Sequence, residues 1–248
     1  MKKIHPIFYL TGIGMISVAV FSMIYVVINN ISIGIFLLGG ISWIISVSLK
    51  VIWATSMNKQ VLKLLKDKLR GTISKALSWS YIGILTGIFE CGFVLAFVYF
   101  LPTLNQAEWI NILGFGIGFG AFEALSLGTS NIIYLVKNKN IEDDIDNRFS
   151  LNMNNILMIP LGIVERIFTL FIHVFSCVLI FIAVQENSYL YFWVSFIFKS
   201  FVDAVAAWLI LEKGIRNISK ASQHWGYQLI FIILGLIALI GTINIYSS

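Results

Sequence analysis

Seven predominantly apolar stretches, each at least twenty residues long, succeed one another along this chain: 6–28, 31–55, 74–101, 109–136, 155–184, 188–211 and 225–245. A helix rises about 1.5 Å per residue, so roughly 20 residues cross a hydrocarbon core about 30 Å thick. Lipid offers no hydrogen-bond partner to a bare backbone, so a spanning segment must be a helix or part of a closed barrel. These runs are far too long for barrel strands and show no two-residue alternation. They predict an all-α integral membrane bundle of about seven transmembrane helices. Composition agrees, because 58% of the chain is hydrophobic and only 12% charged, about half the charge of a soluble domain. No internal repeat, low-complexity tract or second soluble domain interrupts it, so 1–248 reads as a single transmembrane domain. MKKIHP leads into an apolar run too long for a signal-peptide core and without a small-residue cleavage site, which predicts a retained first helix.

The formal charge of +5 does not indicate nucleic acid, because its placement follows the connections between helices. Lys2 and Lys3 precede helix 1. Lys59, Lys63, Lys66, Lys68, Arg70 and Lys75 follow helix 2. Lys137, Lys139 and Arg148 follow helix 4, and Lys213, Arg216 and Lys220 follow helix 6. The alternate connections, around INN, PTLNQAE and QENS, carry no lysine or arginine. The positive-inside rule then predicts a cytoplasmic N-terminus and an external C-terminus. Trp109, Trp193 and Trp225 fall near helix ends, as interfacial anchors do. Within 57–70, NKQVLKLLKDKLR places Val61, Leu62, Leu64, Leu65 and Leu69 on one stripe with lysines opposite. It predicts an amphipathic helix on the cytoplasmic leaflet, or a docking helix for a partner. IEDDIDNRFS reads as a solvated acidic turn, and Cys91 and Cys177, both inside apolar runs, read as packing residues.

Ionisable residues at membrane depth cost about 2.5–3.5 kcal/mol each at a helix centre, so they mark a shared polar interior. They are Glu90 in helix 3, Glu123 in helix 4, Glu165, Arg166 and His173 in helix 5, and Lys199 and Asp203 in helix 6. Lys50 lies close enough to a helix end to snorkel and is set apart. Lys199 and Asp203, four residues apart, can pair along one helix face. Arg166 and His173, seven apart, share a face, while Glu165 points about 100° away toward another neighbour. Four carboxylates against Arg166 and Lys199 leave two negatives, to be offset by protonation, by charged His173 or by a bound cation. The same set is also compatible with an ion-pair network that only orients helices.

GFGIGFGAFEAL at 114–125 contains a glycine pattern but follows no strand, so a dinucleotide-binding turn is excluded. Gly114 with Gly118, and Gly116 with Gly120, are small-xxx-small pairs that let transmembrane helices approach closely.

Four segments in this order, TGIFECGFV at 86–94, GFGIGFGAFEAL, VERIFTLFIHVFSCVLIF at 164–181 and FKSFVDA at 198–204, resemble YhfC-type intramembrane peptidases. That seven-helix bacterial family is similar in motif logic to CAAX-processing and PrsW-type membrane proteases. The resemblance covers about 80–210 and implies a place in a bacterial cytoplasmic membrane. Its motifs, GxFEE with a following Arg, GxGHGxxEA, ER with a later His, and HxxxD, imply paired acids and histidines around a metal-activated water. Glu90, Glu123, Glu165, Arg166, His173 and Asp203 match these positions. Four needed groups are replaced: the second glutamate by Cys91, the arginine after it by an apolar residue in FVL, one histidine by Phe119 and another by Lys199. The expectation is a scaffold without the chemistry, with no cofactor, acting by binding a hydrophobic peptide or a partner membrane protein. Immunity to a peptide toxin or an accessory role beside a transporter would suit such a body. The alternatives are an active intramembrane protease with an altered site, holding zinc through His173 and Glu123, and a small ion- or proton-coupled transporter. A heme or quinone role is weakest, because only His173 offers an imidazole at depth.

Overall fold

The computed structural model describes residues 9–68, 71–137, 157–212 and 221–247. The acidic IEDDIDNRFS segment, Leu69, Arg70 and several of the basic loop residues lie outside them. Eight helices succeed one another in the described residues: α1 Tyr9–Ile28, α2 Ile33–Lys68, α3 Thr72–Phe100, a short α4 Pro102–Asn105, α5 Trp109–Lys137, α6 Ile159–Gln185, α7 Tyr189–Leu211 and α8 Ala221–Ser247. Seven of them are long and apolar enough to cross a membrane, and no strand occurs among the described residues. The chain is a multi-pass integral membrane protein, as its apolar runs predict.

Helix α6 forms the middle of the bundle. Its second half is buried almost throughout, from Ile172 to Val184, and α1, α5, α7 and α8 all pack on it. Helix α5 lies beside it and also carries α1 and α2. The glycines of α5 explain how. Gly114 and Gly118 lie against Ile31 and the backbone of Phe36, on the α2 side. Gly116 and Gly120 lie against Val174 and Leu170 of α6. The two pairs therefore serve two different neighbours, each letting backbones approach where a side chain would hold them apart.

Two of the lysine-free connections are tight for a local reason. Asn30 and Asn187 take positive φ, 54° and 51°, just past α1 and α6. After Asn30, Ile31 N–H reaches back to Val26 at 3.0 Å and Asn30 N–H to Val27 at 3.2 Å, the double bond of a Schellman ending. Ser188 and Asn187 repeat it on Ala183 and Val184. Asparagine tolerates that conformation better than most residues, so INN and QENS can reverse the chain in very few residues.

Two elements differ from the sequence reading. The stretch expected as a separate surface helix over 57–70 instead continues α2 without a break to Lys68. No glycine or proline occurs in 41–68 to end the helix, so propensity carries it on. At 36 residues α2 is about 54 Å long, well beyond a bilayer core. Helix α3, in turn, is not uniform: Gly87–Cys91 forms a single π turn, with Gly92 N–H bonded back to Gly87.

Candidate functional site

Every ionisable residue expected at depth, from Glu90 to Asp203, converges on one polar cavity of about 230 Å³ between α2, α3, α5, α6 and α7. The π turn delivers the first of them. It adds one residue to the ladder and so rotates the remainder of α3 by about 100°, and within it Glu90 and Cys91 are both buried. Glu90 Oε1 lies 2.5 Å from Lys50 Nζ, and Oε2 lies 3.3 Å from Lys199 Nζ without hydrogen-bond geometry.

Glu123 organises the other half. Its Oε1 accepts from Arg166, its Oε2 lies 2.7 Å from His173 Nε2, and the indole of Trp43 donates to Oε2 at 3.3 Å. Arg166 and His173 share a face, as their spacing predicts, and both use it to reach Glu123. Lys199 Nζ then sits 3.2 Å from His173 Nδ1, closing a continuous polar chain from Glu165 through to Glu90. The same ammonium lies 3.4 Å from Nε2, so it sits across the imidazole and not in line with one ring nitrogen. The Phe119 ring packs on the same imidazole with centroids 5.0 Å apart.

Several sequence-based pairings are rearranged. Lys199 does not use Asp203; it turns to Glu90 and His173 on other helices, where two buried groups need it. Asp203 accepts from Thr86 at 2.5 Å and lies 3.8 Å from Lys50. Among the described residues, Glu165 bonds Arg166 beside it and no residue of another helix. Lys50 does not snorkel away: it donates to Glu90 and, at 3.3 Å, to Thr86. The cluster is therefore four carboxylates against three cations, one formal negative charge where two were expected. Lys50, Thr86 and Trp43 were missed as site residues. Trp43 and Lys50 are seven residues apart on α2, one helix face, and that spacing was the available signal.

The cavity is one-sided. Glu165 and Asp203 keep 38% and 31% of their side chains exposed and lie about 9 and 12 Å in from the nearer ends of α6 and α7. His173 and Lys199 are deeper and buried. One turn further in, Cys91, Ser176 and Ser195 form a small buried group, with the two hydroxyls 2.6 Å apart. Beyond them Val94, Phe115 and Phe181 are fully packed. Both cysteines are free and buried, as packing residues are.

The model of the YhfC intramembrane metalloprotease family matches residues 14–221. This chain belongs to that family. No curated protein and no solved structure matches it. The match reaches well beyond the 80–210 core that carried the motifs, so α1 and α2 are part of the family body. Whether this YhfC protein can hold the metal that the family's description implies turns on its donor atoms. Both nitrogens of His173 already have partners, one a carboxylate and the other an ammonium. Both oxygens of Glu123 are taken by Arg166, His173 and Trp43. Among the described residues no three His, Cys, Asp or Glu side chains are grouped as metal ligands. The residues present do not fit a bound metal.

Proposed function

We propose that this member of the family binds where its relatives' motifs imply cleavage: a hydrophobic peptide, or a segment of a partner membrane protein such as a transporter, is held at the polar cavity and is not hydrolysed. The observation that carries this reading is the place of Lys199. Its ammonium lies between Glu90 and His173, 3.3 and 3.2 Å away, where a divalent cation would need a carboxylate and an imidazole turned toward it. An ammonium at that distance repels such a cation and uses its ligands at once. The half-exposed carboxylates of Glu165 and Asp203 stand at the rim and favour an apolar segment flanked by a basic residue. No cofactor enters this reading.

Purified protein is expected to carry far less than one zinc per chain, unchanged in His173→Ala, and to retain a lysine-ended apolar peptide without shortening it. Stoichiometric zinc that disappears in His173→Ala overturns the proposal. So does peptide cleavage that stops in Glu123→Gln at normal expression, which restores the active-protease alternative.

A further inference from the structure

A second concavity lies on a neighbouring face of α6. Arg166, Thr169 and His173 line the ionic cavity, whereas Ile167, Leu170 and Val174, centred roughly 100° further round the helix, floor a groove of about 610 Å³. Val18 of α1 and Leu239 of α8 form its walls. A concavity of about 490 Å³ continues it to the end of the bundle, sharing Tyr25, Leu113, Thr242 and Ile243 and adding Glu108, Trp109 and Tyr246.

The groove reaches past mid-depth on α6, where Ile167 lies eighteen residues, about 27 Å, from the Gln185 end. Val18 lies ten residues before the Ile28 end of α1, about 15 Å along the axis and half of a 30 Å hydrocarbon core. Deeper in the bundle α1 closes on α6, where Thr11 Oγ1 donates to the Ile159 carbonyl at 3.3 Å and Ile163 fills the space beside Gly14. A spanning partner helix would need a seam along the whole bundle, and this one stops eight residues, about 12 Å, short of the Ile159 end of α6. Its depth fits a single acyl chain.

The open end specifies a headgroup. Trp109 and Tyr246 stack with centroids 5.4 Å apart at 29°, and Tyr25 stands beside them on the same concavity. Interfacial aromatic belts are common, so the rings alone say little. Glu108 is what a belt does not require. It is exposed, its carbonyl caps Asn111 and Ile112, and its carboxylate has no partner among the described residues. The connection that contains it has no lysine or arginine. A carboxylate lining the same concavity as aromatic rings attracts an ammonium and repels an anion.

We propose that this groove binds a phospholipid with an ammonium headgroup, of the phosphatidylethanolamine type, its ammonium between Glu108 and the aromatic rings and one acyl chain along α6. The test uses full-length protein in phosphatidylglycerol vesicles doped with a trace of acyl-photoactivatable phosphatidylethanolamine or, separately, phosphatidylglycerol. The ethanolamine probe is expected to label peptides containing Val18 or Leu239 roughly five- to tenfold more than the glycerol probe. Glu108→Gln, an exposed change that leaves the melting temperature alone, removes that preference. Thr242→Trp, which fills the groove, removes labelling by both probes. Equal labelling by the two probes, a preference that survives Glu108→Gln, or labelling displaced by an apolar helical peptide but not by unlabelled phosphatidylethanolamine overturns the proposal.

Discussion

Lys50 and Lys199 hold one carboxylate between them, Glu90, which is only 4% exposed. Removing one partner of a buried ion pair costs about 3–5 kcal/mol, because the other is left charged without compensation. Lys50 is partly exposed, so Lys50→Met is expected to lower the melting temperature in detergent by less than that range implies. Adding Glu90→Gln recovers only part of the loss, because it strands the buried Lys199 ammonium in turn, and a double variant no better than the sum of its singles would show that the pair is not coupled. Residue-scale chemistry also gives a gain-of-function test. Phe119 packs on His173 and Lys199 occupies its Nδ1, so replacing both by histidine supplies two imidazoles and removes an ammonium at once. Phe119→His with Lys199→His is expected to bind about one zinc per chain, where the parent is expected to carry far less. A double variant that folds and still purifies without zinc would mean that these two replacements are not what keeps a metal out.

At the scale of elements, α5 and the π turn of α3 set the geometry of the site. A side chain on Gly118 would meet the carbonyl of Phe36, and one on Gly116 the backbone of Val174. Backbone cannot swing aside as a long side chain can. Gly118→Val is therefore expected to destabilise the bundle by at least about 1–3 kcal/mol, the usual range for overpacking, and to loosen the seat of Trp43 on Glu123. Gly226→Ala is the control, because a Cβ there meets nothing within 4 Å and alanine favours a helix. Thermal unfolding followed by tryptophan fluorescence separates the two. Equal effects from both would remove close packing as the role of the α5 glycines.

For the whole molecule, the polar network enters from one end and stops. Cys91, Ser176 and Ser195 are its deepest members, and Phe115 and Phe181 seal the region beyond. A conducting path needs polar groups or water across the full bilayer. Proteoliposomes are accordingly expected to show proton and cation leak no greater than protein-free vesicles. A flux that depends on Glu123 or Asp203 would revive the transporter alternative. The two concavities lie on neighbouring faces of α6, one ionic and one apolar, and share no lining residue, so variants in one are expected to leave ligands of the other undisturbed.

Residue pattern alone sets the architecture and the membership of the site. Twenty-residue apolar runs leave a chain in lipid no choice but helices, and isolated charges at depth must find one another. Seven spanning helices and the convergence of Glu90, Glu123, Glu165, Arg166, His173, Lys199 and Asp203 were legible on that ground alone. The orientation expected from the lysine and arginine loops rests on the sequence still. Only the tertiary structure decided the pairings. Spacing along one helix offered Lys199 to Asp203, but a buried ammonium goes to the least solvated carboxylate in reach, and Glu90 on α3 was closer once the π turn had rotated it inward. Lys50 was misread for the same reason: snorkelling depends on distance to a helix end, whereas its partners come from two other helices that sequence periodicity does not see.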